Sequence, residues 1–301
     1  MSNIKNWISA FRIRTLFLAI AGVILGTGIA IHSGSFSLST FALALLLAVS
    51  IQILSNLSND LGDYLKGTDM TGKREGPARA VQSGNITTSQ MKTGIIINTL
   101  FVIIVGLTLV FSSISNFTDI SLYIILGIGV ISILSALFYT LGRYAYGYVG
   151  WGDFFAFFFF GPVAVIGTFF LHTNSFSLQS ILPSIGLGLI STMILNVNNM
   201  RDIKNDLSSG KITVASKMGL RNAKIYHLTM TLGVFATFLT YSTIYASYPW
   251  YRYVYAVVFI FQIKILLNIW NKSDKALDPY LKHTSITGLA LSILFSLCIN
   301  I

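Results

Sequence analysis

The chain has 301 residues, of which 54% are hydrophobic and only 10% are charged, and its mean hydropathy is +0.73. Soluble domains carry about 25% charged residues, so this composition excludes an ordinary soluble protein and indicates a membrane protein. A formal net charge of +10 is typical of basic residues held on one side of a membrane, and we expect no nucleic-acid partner. The single cysteine, Cys298, excludes an internal disulfide.

Nine apolar stretches are each long enough to cross a hydrocarbon core of about 30 Å, since a helix rises about 1.5 Å per residue. They lie at 15–32, 39–58, 92–112, 120–140, 153–172, 178–198, 225–245, 250–270 and 282–301. The sequence therefore predicts an all-α membrane protein. We expect nine spanning helices around a central cavity, in one domain over residues 1–301.

The basic residues indicate the orientation of these helices. If the N-terminus is inside, all but two of the twenty basic residues lie on the inner side, the exceptions being Arg252 and Lys264. Membrane proteins retain positive charge on the cytoplasmic side, so we expect the N-terminus inside and the C-terminus outside. Two long polar loops, at 59–91 and 199–224, lie on the same side. Loops of this length are usually functional, so the active site should face the cytoplasm.

Each polar loop begins with a series of oxygen-bearing side chains at helical spacing. Asn59, Asp60 and Asp63 form the first ladder, and Asn198, Asp202 and Asp206 form the second. Spacings of three and four residues place such side chains on one face of a helix. Carboxylates clustered at a membrane boundary repel one another, which favours a cation between them. Oxygen ligands without His or Cys favour Mg²⁺.

Basic residues interleaved with the ladders favour a diphosphate ligand, because Lys and Arg bind phosphate oxygens. They are Lys66, Lys73, Arg74, Arg79, Arg201 and Lys211. Asp and Asn at helix ends can also act only as caps, but two ladders on one side make a binding site the stronger interpretation. Asp153 could cap its helix or reach the site. We interpret Asp274 and Asp278 as solvated charges of the last inner loop.

At these residues the chain resembles the UbiA superfamily of intramembrane aromatic prenyltransferases, and in particular the 1,4-dihydroxy-2-naphthoate polyprenyltransferases of menaquinone synthesis. The resemblance rests on Asn56-x-x-Asn59-Asp60-x-x-Asp63-x-x-x-Gly67-x-Asp69, Gly76-Pro77-x-Arg79-Ala80-x-x-Ser83-Gly84, Tyr139-Thr140-x-Gly142 to Gly150-x-Gly152-Asp153, and Asn198-Asn199-x-Arg201-Asp202-x-x-x-Asp206-x-x-x-Gly210-Lys211-x-Thr213. One departure is that the superfamily's first motif has an acid four residues after the position of Asp63. Here that residue is Gly67, and the next acid is Asp69.

The resemblance implies a plasma-membrane enzyme that transfers a polyprenyl group from its diphosphate to 1,4-dihydroxy-2-naphthoate, with loss of CO₂ and diphosphate, to give demethylmenaquinone. Both ladders would be catalytic. Two Mg²⁺ ions would be held by Asp60, Asp63, Asp69, Asp202 and Asp206. The diphosphate would be bound by Lys73, Arg79, Arg201 and Lys211. Tyr139 is a candidate for stabilising an allyl cation and Asp153 for orienting the acceptor.

Three alternatives remain open. One is a purely structural membrane scaffold, for which Asp63→Ala and Asp202→Ala would be silent. A relative with another aromatic acceptor, such as 4-hydroxybenzoate or homogentisate, would show nearly the same motifs. An ion-coupled transporter would also contain membrane carboxylates, but these are expected near the bilayer midplane. Both ladders instead lie at one boundary beside Lys and Arg, which disfavours transport.

Overall fold

The computed structural model describes residues 4–73, 75–114, 120–245 and 249–301. Within these ranges the chain is helical, and its β structure is one isolated bridge between Val149 and Ile212. The α-helices are α1 (Ile4–Phe11), α2 (Ile13–His32), α3 (Leu38–Leu65), α4 (Thr88–Ser113), α5 (Ile120–Phe138), α6 (Gly152–Phe158), α7 (Ala164–Thr173), α8 (Ile181–Ser208), α9 (Val214–Tyr245), α10 (Val257–Trp270) and α11 (Asp278–Asn300).

The all-α class and the nine spans are confirmed for the described residues. Nine helical segments there are long and apolar enough to cross a membrane, and each overlaps a predicted stretch. Two of them run well beyond their predicted ends. Helices α3 and α8 have 28 residues each and continue to Leu65 and Ser208. They continue because the ladder residues repeat at the same helical spacing as the apolar residues before them. Both ladders therefore stand at the ends of long helices.

Helices α6 and α7 belong to one span that is interrupted by a π-helical turn at Phe159–Val163. Pro162 lies in this turn and has no backbone N–H, so the regular hydrogen-bond ladder cannot pass through it. Next to it, Gly161 packs directly on α8, where a Cβ would lie 2.4 Å from the carbonyl oxygen of Ser184. The interrupted span therefore packs closely against α8.

Helix α1 is a short element that the sequence pattern did not predict. It is joined to α2 at Arg12, whose φ of 51° lies in the left-handed region. The Asn56 side chain on α3 donates a 2.9 Å hydrogen bond to the carbonyl oxygen of Phe11, and Trp7 packs against Gly94 of α4. These contacts hold α1 across the ends of α3 and α4.

Two of the groups of buried apolar residues position the site. The larger includes residues of α2, α7, α8, α9 and α11, and the other includes residues of α1, α3, α4 and α5. A large cavity lies between these groups and takes its walls from both. The ends of α3 and α8, which carry the ladders, stand on opposite sides of its polar end.

Candidate active site

The cavity has a volume of about 1060 Å³ and combines a charged end with a long apolar body. Basic side chains that line the charged end include Arg12, Arg14, Arg79, Arg201 and Lys211. Along α3 the lining residues run from Asp60 back to Ala44, which is about 24 Å at about 1.5 Å per residue. The body is therefore long enough to receive an extended hydrocarbon chain whose head group lies among the cations.

The cavity also opens sideways toward the surface that would face lipid. Ile103 and Leu107 on α4 and Val130 on α5 line it, yet these side chains are 39%, 42% and 56% exposed. An apolar molecule could therefore pass between α4 and α5 without crossing water.

The first ladder is held at the charged end by Arg79. The Arg79 guanidinium contacts the Asp63 carboxylate and lies 3.2 Å from Oδ2 of Asp69, and it donates a 3.1 Å hydrogen bond to the carbonyl oxygen of Asn59. Asp63 is fully buried, and Nζ of Lys211 lies 3.7 Å from its Oδ2 atom. Arg79 thus brings together three residues of the predicted site.

Burial opposes the charge of Arg79, but the carboxylates of Asp63 and Asp69 outweigh it and raise the pKa of Arg79. The guanidinium is therefore charged at every physiological pH. It neutralises carboxylates that would otherwise be costly to bury.

Tyr148 is a site residue that the sequence analysis missed. Its hydroxyl donates a 2.7 Å hydrogen bond to Oδ1 of Asp63, and the ammonium groups of Lys66 and Lys211 lie 4.6 and 5.3 Å from its ring centroid. Burial, reinforced by Asp63, raises the pKa of Tyr148, so the hydroxyl keeps its proton. Its place in the Tyr/Gly-rich segment 139–152, which carries part of the family resemblance, was the available signal.

Asp60 makes different contacts from Asp63. Its two carboxylate oxygens accept hydrogen bonds from the backbone N–H groups of Ala80 (3.0 Å) and Val81 (3.2 Å). Asp60 therefore fastens the loop that follows Arg79 to the end of α3. The ligand role predicted for it stays a prediction, and the observed contacts favour an anchoring role.

The second ladder is held by Arg201, which is 2% exposed. Its guanidinium donates two hydrogen bonds to Asp202, at 3.0 and 2.6 Å, and one of 2.9 Å to Oδ1 of Asn198. It also contacts the carboxylate of Asp278, which lies 3.2 Å from Arg14. The interpretation of Asp278 as a merely solvated charge was therefore wrong.

The two ladders face each other across the charged end. Asp206 is 3% exposed and lies within electrostatic range of Asp63, Asp202 and Lys211. Thr71, in the loop after α3, donates its hydroxyl proton to Oδ1 of Asn205 on α8. The polar loop after α3 is thus fastened to the end of α8.

Aromatic side chains line the cavity next to the ladders. Tyr139 packs edge to face on Tyr146 at 5.3 Å, and Tyr146 stacks on Phe155 at 4.0 Å; all three line the cavity. Burial raises the pKa of Tyr139, and the nearby Asp63 adds to the effect. Gly147 permits this packing, since a Cβ there would lie 2.7 Å from the Tyr139 ring. These rings form an apolar, electron-rich wall beside the charged end.

In the part of the chain that the structure describes, no three His, Cys, Asp or Glu side chains form a group that could hold a metal ion. Instead Asp63 and Asp69 face Arg79, and Asp202 faces Arg201. The donor set nevertheless fits Mg²⁺ by chemistry, because it consists of hard oxygen atoms collected at one polar end. A bound ion would require the carboxylates to turn from their Arg partners.

Residues 15–286 match the model of the UbiA prenyltransferase family. The chain belongs to this family. It is similar, over almost the whole of both chains, to proteins named 1,4-dihydroxy-2-naphthoate octaprenyltransferase. The identity is 35% with the Escherichia coli protein, covering 99% of this chain and 96% of that one. It is 33% with the Haemophilus influenzae protein, covering 98% and 95%. The resemblance seen in the motifs is confirmed, and the chain is a prenyltransferase.

Two solved structures of UbiA homologues share the fold. The apo structure of the Aeropyrum pernix homologue has a TM-score of 0.67 at 16% identity, covering 96% of this chain and 98% of that one. The Archaeoglobus fulgidus homologue, bound to DMAPP and Mg²⁺, has a TM-score of 0.62 at 12% identity, covering 97% and 99%.

Several predicted site residues of this prenyltransferase are absent from the cavity lining or cannot be placed. Asp63, Asp69, Asp202 and Asp206 are not lining residues, but the first three contact Arg79 or Arg201, which do line the cavity. The Asp153 carboxyl group lies near Tyr226 of α9, and Asp153 is absent from the cavity lining although its neighbour Gly152 belongs to it. Lys73 is exposed in the loop after α3. Arg74 lies outside the described residues. The roles given to Asp153 and Lys73 stay predictions.

Proposed function

We propose that this enzyme transfers a polyprenyl group from polyprenyl diphosphate to 1,4-dihydroxy-2-naphthoate, in the biosynthesis of menaquinone. The observation that carries the proposal is the cavity, in which a cation-lined end continues into an apolar body that opens to the lipid-facing surface. This shape fits a molecule with a diphosphate head and a long hydrocarbon tail. The acceptor is proposed from the relatives at 33% and 35% identity.

The basic side chains bind and orient the diphosphate. Arg79, Arg201 and Lys211 line the charged end, and their charges oppose those of the phosphate oxygens. Their present carboxylate partners hold them in place before substrate arrives. We propose that Lys73, from the exposed loop after α3, also binds the diphosphate.

The carboxylates of Asp63, Asp69, Asp202 and Asp206 would hold Mg²⁺, which we propose as two ions. When bound, Mg²⁺ neutralises the diphosphate leaving group and so favours cleavage of the allylic C–O bond. Asn59 and Asn198 add amide oxygens on the same two helix ends. Asp60 keeps the Arg79 loop closed over the head group.

The aromatic wall protects the reacting carbon. As the C–O bond breaks, diphosphate leaves with the bonding electron pair, and positive charge develops on the allylic carbon. The faces of Tyr139 and Tyr146 stabilise that charge, and the apolar wall excludes water. The electron-rich ring of the acceptor then forms the new C–C bond. Its carboxyl group leaves as CO₂, so that the product is demethylmenaquinone in its reduced form.

We further propose that residues 1–301 act as one domain in the bacterial inner membrane, in contact with lipid, with the N-terminus and active site on the cytoplasmic side. The distribution of basic residues supports this orientation. Thiol-specific labelling of single-cysteine variants in right-side-out and inverted vesicles tests it. Labelling of Lys73→Cys in right-side-out vesicles only would contradict it.

Purified protein should be supplied with a polyprenyl diphosphate and either 1,4-dihydroxy-2-naphthoate or 4-hydroxybenzoate, in Mg²⁺ or in EDTA. We expect Mg²⁺-dependent product from the naphthoate and little from the benzoate. Product from the benzoate alone would support the proposed active site but contradict the proposed acceptor. No transfer to either ring, together with metal-dependent uptake into proteoliposomes, would favour the transporter.

A further inference from the structure

Asp278 joins three helices at the charged end. It is the first residue of α11, and its carboxylate contacts Arg201 of α8 and lies 3.2 Å from Nη1 of Arg14 on α2. Seven residues further along α11, the Ser285 hydroxyl donates a 3.0 Å hydrogen bond to the carbonyl oxygen of Arg14 and so holds α11 on α2. The two arginines both line the cavity, so Asp278 lies where it can set their positions.

Arg201 is shared between two carboxylates of different kinds. Asp202 belongs to the second ladder and receives two of its hydrogen bonds, whereas Asp278 lies outside both ladders. Arg201 is almost completely buried, and a buried cation without a counter-ion is strongly unfavourable. If Asp202 turns to hold Mg²⁺, Asp278 is the carboxylate that stays with Arg201.

Resting on the proposed function, we infer that Asp278 is a positioning residue: it keeps Arg201 and Arg14 directed at the cavity and thereby releases Asp202 to bind the metal–diphosphate. Without Asp278, the guanidinium of Arg201 has Asp202 as its remaining carboxylate in the described contacts. The metal must then compete with Arg201 for that carboxylate. Removal of the Asp278 charge should therefore weaken metal binding, although Asp278 does not touch the metal.

The test compares Asp278→Asn with Asp274→Asn, a matched control from the same loop. Asp274 pairs with Lys204 of α8 at 3.0 Å, but Lys204 does not line the cavity. Binding of Mn²⁺ in the presence of inorganic diphosphate is measured by electron paramagnetic resonance on the purified full chain. We expect about 10- to 100-fold weaker binding in Asp278→Asn and unchanged binding in Asp274→Asn.

If Asp278→Asn has a lower thermal stability but binds Mn²⁺ with the affinity of the unmodified protein, the inference is overturned, because Asp278 is then only a structural link. If Asp278→Asn does not fold, Asp278→Glu displaces the same charge by one methylene and should still weaken Mn²⁺ binding measurably; unchanged binding there overturns the inference equally. Absence of Mn²⁺ binding in the unmodified protein would instead contradict the proposed function.

Discussion

Substitution of Arg79 by Gln removes the cation shared by Asp63 and Asp69 and leaves a shorter, neutral polar side chain. Removing one partner of a buried ion pair costs about 3–5 kcal/mol, because the other charge stays buried. Asp63 retains the Tyr148 hydroxyl and the ammonium group of Lys211, so the cost should lie near the lower limit. We therefore expect the free energy of unfolding in EDTA to fall by about 3 kcal/mol.

Saturating Mg²⁺ should reverse much of this loss. If Asp63 and Asp69 are metal ligands, the ion replaces the missing guanidinium as their counter-charge, and a ligand that binds only the folded state stabilises it. The assay is denaturant unfolding of the detergent-solubilised protein, followed by tryptophan fluorescence, with Mg²⁺ or with EDTA. The stabilisation by Mg²⁺ should be larger in Arg79→Gln than in the unmodified enzyme, while prenyl transfer is strongly reduced.

Arg143→Gln is the control, since Arg143 is exposed and contacts the ring of Tyr144. It should change neither the stability nor the response to Mg²⁺. Equal stabilisation of Arg79→Gln and the unmodified enzyme by Mg²⁺ would refute the reasoning, because the carboxylates freed from Arg79 would then not be binding metal.

Three further predictions follow from single contacts. Tyr148→Phe should lower the free energy of unfolding by about 1.5–3 kcal/mol through loss of a charged hydrogen bond. Because the pKa of Tyr148 is raised, this deficit is fully present below about pH 10 and decreases progressively as the pH rises from there toward the raised pKa. Gly62→Ala should lower the free energy of unfolding by about 1–3 kcal/mol, since its Cβ would lie 2.4 Å from Oγ1 of Thr140. Gly127→Ala, whose Cβ would meet nothing within 4 Å, should leave the free energy of unfolding unchanged in the same denaturant assay. Gly167→Phe fills open space on the apolar cavity wall, and mass spectrometry of the products should show shorter tails.

The sequence predicted the spans and the two ladders because both depend on local patterns. Apolar runs of sufficient length define membrane helices, and spacings of three and four residues place Asp63 and Asp206 on helix faces whatever the rest of the chain does. The arginines beside the ladders were predicted as phosphate ligands for the same reason. These features need no knowledge of how the helices pack.

Long-range packing explains what was missed. Asp278 lies 77 residues from Arg201 and 264 from Arg14, so no spacing rule connects them, and an Asp in a Lys-containing loop has the pattern of a solvated charge. The anchoring contacts of Asp60 with Ala80 and Val81 also depend on how the loop folds back. Asp153 lies in a motif of the resemblance, yet the helix phase turns its carboxyl group toward Tyr226.

The most direct test of the central claim is the stoichiometry of the reaction with a carboxyl-labelled 1,4-dihydroxy-2-naphthoate and a polyprenyl diphosphate. The account predicts equal amounts of labelled CO₂, diphosphate and prenylated naphthoquinol in Mg²⁺, and none of the three in EDTA or in Asp63→Asn. Prenylated product that retains the label, or transfer that persists undiminished in Asp63→Asn, would contradict it.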